Sequence, residues 1–178
     1  GKTLVYTDPV TFVPDSVGSI GDLTRDIAGG AVETLIVLDS NPAYTTPGAL
    51  GFADLLKRVP RTIHVGLHRD ETAALCGWHL PLAHALESWS DARAIDGTAT
   101  IIQPVVAPFY SVRTAHQVMD MLLGAVDPAA DTSVRKTWQT NFGSDFDAHW
   151  RQSLHDGFVA GTTSRAVEVN AKAVSLPH

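Results

Sequence analysis

The sequence predicts an α/β protein: a mainly parallel, Rossmann-like sheet with helices on both faces, three layers in all, and a helical C-terminal extension. Three observations carry this. Leu35-Ile36-Val37-Leu38 has no polar alternation, so both faces of that segment call for burial, as in a central parallel strand. The run stops on Asp39-Ser40-Asn41-Pro42, which is turn chemistry at a strand's carboxyl end. Strand-to-helix units then follow one another with short connections, which favours right-handed parallel crossovers. Open α/β sheets hold ligands at the carboxyl ends of their strands, so the tetrad after the buried run is the first place to look for function.

Each element has a local reason. Residues 3–6 are a short apolar run that reads as a strand, with Asp8-Pro9 and Pro14-Asp15 marking the loop behind it. Ser19 is a helix N-cap with Asp22 three residues on, and Ile20, Leu23 and Ile27 recur at helical spacing until Gly29-Gly30. Thr46-Pro47 supplies a cap and a proline at the first helical position. Leu50, Phe52, Leu55, Leu56 and Val59 then form one wide apolar face that Pro60 closes. Residues 62–67 read as the next strand, and Asp70 caps a short helix through Glu71, Thr72, Ala73 and Ala74.

The order is less regular further on. Residues 78–80 are a short apolar piece stopped by Pro81, 82–89 suit one or two helical turns, and 99–106 are β-rich around Pro104. Ser111 opens a helix with Val112, Ala115, Val118, Met119 and Leu122 on one face and Gly124 behind it, completing the layer over the sheet. Residues 127–131 are a linker rich in Asp, Pro and Ala. Residues 133–139 and 145–155 read as helices whose Trp138, Phe146, Trp150 and Leu154 dock back, although excision from a longer chain would leave Trp138 or Trp150 exposed. Val167, Val169, Ala171 and Ala173 alternate with polar residues as a strand does, frayed without neighbours. The expected division is an α/β domain at 1–126, a linker with docking helices at 127–157, and a tail or start of a next domain at 158–178.

Composition narrows the function classes. The chain has 178 residues, 44% of them hydrophobic, enough for a core of ordinary size. Its formal net charge of -6 without a basic cluster excludes a nucleic-acid footprint or an anionic-membrane patch. No apolar run reaches the roughly 18 residues of a membrane span, and no export signal lies within these residues. One cysteine, Cys76, allows neither an internal disulfide nor a cysteine-ligated iron–sulfur cluster here. The Gly-Lys-Thr start and the partnerless tail read as an internal piece of a longer polypeptide.

Local chemistry is sparse. Among the eight histidines the nearest pairs are His64 with His68 and His79 with His84, and neither has the spacing or further ligands of a metal site. His64 lies between Ile63 and Val65 in an expected strand and reads as a hydrogen-bonded core or interface histidine. Ser40, His68 and Asp70 fall at neighbouring strand ends and make a nucleophile–base arrangement on paper, but the G-x-S-x-G elbow is absent, and Ser40 and Asn41 equally suit a turn. No phosphate-cradling glycine motif is present. Cys76 beside Trp78 reads as a small buried residue, and Glu87, Asp91 and Arg93 around Trp89 as a solvated or salt-bridged loop.

The order of motifs is more specific than any one of them. DSNPAYTTP, then a helix, then TIHVGLHRDETAALCGWHLPLAHALESWSDARAIDGTATIIQPVVAPFY resembles the third domain of the molybdopterin oxidoreductase (dimethyl sulfoxide reductase-like) superfamily. Within it, the chain resembles the molybdopterin-oxidoreductase-like iron–sulfur component of alternative complex III, a quinol-oxidising bacterial membrane assembly. By this resemblance Ser40, Asn41 and Pro42 match one cofactor-side loop, His68, Glu71 and Thr72 a second, and Glu87 the glutamate after the L-P step. Catalytic members carry an aspartate in A-D-x-V-L-P, where this chain has Cys76-Gly77-Trp78-His79-Leu80-Pro81, and an E-G-R element replaced here by Asp91-Ala92-Arg93 and Asp96-Gly97. The resemblance implies a non-catalytic scaffold in a respiratory electron-transfer subunit at the periplasmic face of the bacterial inner membrane. It implies no cofactor in this piece and iron–sulfur clusters elsewhere in the parent. Its implied partners are sibling domains and subunits, with dimerisation of the isolated piece. Two alternatives stay open: a genuine molybdopterin guanine dinucleotide-binding domain of a catalytic oxidoreductase, and a small-molecule hydrolase using Ser40 and His68.

Overall fold

Ser19 starts the first helix for the reason its spacing suggests: in the computed structural model, which describes residues 3–10 and 18–169, it forms a reciprocal capping box with Asp22 at the head of α1 (Ile20–Ala28). β1 (Thr34–Leu38) follows, then the single-turn α2 (Pro42–Thr45), α3 (Phe52–Leu56), β2 (Arg61–Gly66), α4 (Glu71–Leu75) and β3 (Trp78–Pro81). The three strands form one parallel sheet in the order β1-β2-β3. Right-handed crossovers between strands taken in sequence order put both connections on one face. Accordingly Ile27 of α1, Phe52 and Leu56 of α3, and Val59 form a buried cluster that Leu35 of β1 and Leu75 of α4 pack against. Leu56 is completely buried, a side chain whose burial stabilises by roughly 1.5–3 kcal/mol.

Pairing register sorts the two faces. Leu35 stands beside Thr62, Val37 beside His64 and His64 beside His79, all towards the helical layer. Val65 and Leu80, one residue on, share the opposite face. There α5 (Ala115–Leu122), started by a capping box between Thr114 and Gln117, sets Val118, Met121 and Leu122 across a cavity of about 570 Å³ from Val65, Leu80 and Pro81. On this second face Trp78 stays 69% exposed.

A second core lies on a different framework. β4 (Ser90–Arg93) and β5 (Ala99–Ile102) form an antiparallel pair, and Ala99 and Ile101 are buried with Val134 and Trp138 of α6 (Thr132–Phe142), Phe146 and Trp150 of α7 (Phe146–Asp156), and Val159. Trp89 stacks on Trp150 at 5.8 Å, and the Arg135 guanidinium lies 5.1 Å from the centroids of both Phe146 and Trp150.

Several expectations are corrected. Trp138 and Trp150 are not left bare: each is 4% exposed, and Trp138 Nε1 donates to Asp91 Oδ2 at 2.9 Å. Asp91 and Arg93 therefore belong to a strand and not to a solvated loop. Residues 3–6 are not part of a strand: among the described residues their surroundings offer a bridge from Thr7 to Ala166 and a bond from Val167 N to Tyr6 O at 2.8 Å, without a continuous ladder. Val167 and Val169 likewise lie outside any strand, and Ala171, Ala173 and the Pro14-Asp15 loop fall outside the described residues. The helix expected from Thr46 is split, since Gly51 at φ 59° separates a 3-10 turn (Gly48–Leu50) from α3, and α5 begins at its Thr114 cap instead of Ser111.

Candidate functional site

At the carboxyl ends of β1 and β2 the chain makes two turns that face each other. Asp39 enters the left-handed region at φ 47°, a conformation Asp tolerates better than most residues, and its N–H still donates to Val65 O at 2.8 Å. That sharp exit carries Ser40 and Asn41 over the end of β2. From β2, Leu67, His68 and Arg69 lead to Asp70, whose carboxylate caps α4 by accepting from Ala73 N at 2.9 Å.

The six residues indicated by the sequence are all at this rim, with different environments. Asn41 is the hub: its Nδ2 donates to Glu71 Oε2 at 2.7 Å, while its Oδ1 accepts from Thr72 Oγ1 at 2.7 Å and Thr72 N at 3.3 Å. Thr72, completely buried, accepts in turn from Ala43 N at 2.9 Å. Pro42 follows Asn41 at the first position of α2, where its missing N–H costs nothing. The result is a loop-to-loop clamp between the ends of β1 and β2. The Asn41 amide holds the exposed Glu71 carboxyl below its ordinary range.

Ser40 and His68 line a crevice of about 210 Å³ with Asp39, Asn41, His64, Gly66, Leu67 and Asp70. Both are exposed, and no hydrogen bond joins them among the described residues. Asp70 faces His64 instead, with Oδ1 3.6 Å from Nε2. The nucleophile–base–carboxylate arrangement drawn from the sequence is thus not assembled around His68.

His64 holds the centre. It is 1% exposed, its Nε2 is 3.3 Å from the Ser40 carbonyl oxygen, and its Nδ1 is 2.9 Å from His79 Nδ1, the two ring planes 20° apart with centroids at 5.1 Å. Gly66 makes room for it, because a Cβ there would lie 2.4 Å from His64 Cε1. In the sequence His79 pairs by proximity with His84 and not with His64, and Gly66 is not singled out. The available signal was a histidine in each of two successive apolar strands, Ile63-His64-Val65 and Trp78-His79-Leu80. Cys76 is half-buried, and burial pushes its thiol up, away from the thiolate.

A second crevice of about 280 Å³ continues from the first through Asp39 and Leu67 and is lined by Leu82, Trp89, Ser90 and His116 among others. Ser90 Oγ lies 3.3 Å from His116 Nε2. Glu87 stands outside both crevices as a clasp: its carboxylate accepts from His84 N and Phe109 N, each at 3.0 Å, and these two bonds hold its carboxyl below the ordinary range.

Comparison with protein-family models and with curated proteins returns no match to this chain. Among the described residues no three His, Cys, Asp or Glu side chains are grouped to hold a metal ion, and no helix is long and apolar enough to cross a membrane.

Proposed function

We propose that this chain is a Rossmann-like domain, with helices on both faces of its sheet, of a bacterial respiratory electron-transfer subunit related to molybdopterin oxidoreductases. In this reading it serves as scaffold in a quinol-oxidising complex at the periplasmic face of the inner membrane. Its partners are neighbouring domains and subunits, and iron–sulfur clusters lie elsewhere in the parent protein. The observation that supports a scaffold most directly is the clamp. Asn41, Glu71 and Thr72, which the resemblance places on the cofactor side, satisfy one another and Ala43 N instead of presenting free donors.

Motif replacement supports the same reading. It is the clamp, with the replacement of the catalytic members' motifs by Cys76-Gly77-Trp78-His79-Leu80-Pro81, Asp91-Ala92-Arg93 and Asp96-Gly97, that speaks against a pterin dinucleotide here. The open apolar surface around Trp78 and α5 suits a domain that packs against neighbours.

The test is cofactor analysis of the full-length protein isolated from its native membranes. Molybdenum and guanine nucleotide far below one equivalent per chain are expected. Near one equivalent of each would establish the rival, a genuine molybdopterin guanine dinucleotide domain. The hydrolase alternative predicts turnover of activated esters that Ser40→Ala abolishes, and absence of turnover by the unaltered protein removes it.

A further inference from the structure

Buried imidazoles are informative because each ring nitrogen must be either donor or acceptor, and neighbours decide which. Among the described residues His64 Nε2 faces only oxygen acceptors, the Ser40 carbonyl at 3.3 Å and the Asp70 carboxylate at 3.6 Å. That nitrogen therefore carries the proton. In a neutral ring His64 Nδ1 is then an acceptor, so His79 Nδ1, 2.9 Å away, must donate to it. His79 Nε2 is left as a lone pair, and it takes no hydrogen bond from the described residues of this half-buried side chain. The two tautomers are fixed in opposite senses, and the pattern has a direction.

From this geometry we infer that Asp70, His64 and His79 form a proton relay between the crevice at the strand ends and the β3 side of the sheet. A proton taken up at His79 Nε2 makes an imidazolium. Its Nδ1 proton passes to His64 Nδ1, the His64 Nε2 proton passes to Asp70, and both rings end neutral in the reversed tautomers. One proton enters and one arrives at the carboxylate, with no electron transferred and no heavy atom displaced by more than the contraction of the 3.6 Å gap. Register makes the wire possible: His64 and His79 are paired residues on adjacent parallel strands, so their side chains leave the same face side by side. Gly66 keeps the space into which the His64 ring leans. Asp70 is held in place by its second task, capping α4 through Ala73 N. Such a relay serves a crevice occupant that gains or loses a proton while bound, and the inference does not depend on the scaffold reading above.

Two measurements on the ¹⁵N-labelled chain test it. Long-range ¹H–¹⁵N correlation reads the tautomers directly and needs no variant: Nε2–H on His64 and Nδ1–H on His79 are expected, and Nδ1–H on His64 would overturn the relay. Exchange of the His64 Nε2 proton with D₂O tests conduction in Asp70→Asn, because Asn also caps helices but offers no carboxylate to receive a proton. Exchange at least about tenfold slower than in the unaltered chain is expected, with the Val65 backbone N–H, a monitor of local opening, unchanged. Equal rates in both chains would overturn the proposal, and the tautomer measurement stands whether or not the variant folds.

Discussion

Gly66→Ala tests the packing at the centre of the site. A Cβ at position 66 would stand 2.4 Å from His64 Cε1, 3.1 Å from Nε2 and 3.3 Å from Nδ1. The nearest contact is too short to survive, and the ring cannot swing away freely, since His79 and the Ser40 carbonyl hold it from both ends. Overpacking of this kind costs about 1–3 kcal/mol, and breaking the His64–His79 bond adds about 1 kcal/mol. A loss of roughly 2–4 kcal/mol in urea unfolding followed by far-ultraviolet circular dichroism is expected. The decisive comparison is the double variant. In a His64→Ala background the obstacle is gone, so the added cost of Gly66→Ala should shrink by about 1 kcal/mol or more, as contacting residues couple. Strictly additive losses would refute the assignment of the clash to the His64 ring.

Two further outcomes follow from the same geometry. Asn41→Ala strips the clamp of its hub and leaves the buried Thr72 hydroxyl without its acceptor, so a loss of about 1–3 kcal/mol is expected by the same urea assay; an unchanged midpoint would show that the clamp contributes nothing. For Glu87 the folded carboxyl is held below its ordinary value of 4.5 by the Phe109 and His84 amides, so its contribution is complete above that value and is lost as pH falls below it towards the lower folded value. Hydrogen exchange at the Phe109 amide should therefore accelerate relative to its intrinsic rate as pH drops below about 4.5, and Glu87→Gln should remove most of that dependence; a profile identical in the variant would place the effect elsewhere.

Two helix starts were legible because capping is a contract between residues three apart, while those expected at Thr46 and Ser111 were not where the spacing placed them. Ser19 with Asp22 and Asp70 with Ala73 N formed as their spacing indicates. The buried strand at Leu35 to Leu38 and the turn after it were legible for a similar reason, an apolar run ending abruptly in polar turn formers. The β4–β5 pair was not. Ser90-Asp91-Ala92-Arg93 has no alternation to announce a strand, and it pairs only because Ala99, Thr100, Ile101 and Ile102 return beside it. Gly51 also showed its effect only in space, where its left-handed conformation divides a helix that the apolar spacing alone would have continued.

The sequence by itself determined the α/β class and the rim where polar loops gather, since these rest on short-range spacing and turn chemistry, and a family resemblance pointed to Ser40, Asn41, Pro42, His68, Glu71 and Thr72. Only tertiary structure decided what those groups do. Strand register brought His79 to His64, an opening left by Gly66 admitted the ring, and Asn41 met Thr72 across thirty-one positions of chain. Hydrogen bonds between distant segments depend on three-dimensional placement, and no local pattern of residue types encodes which donor will find which acceptor.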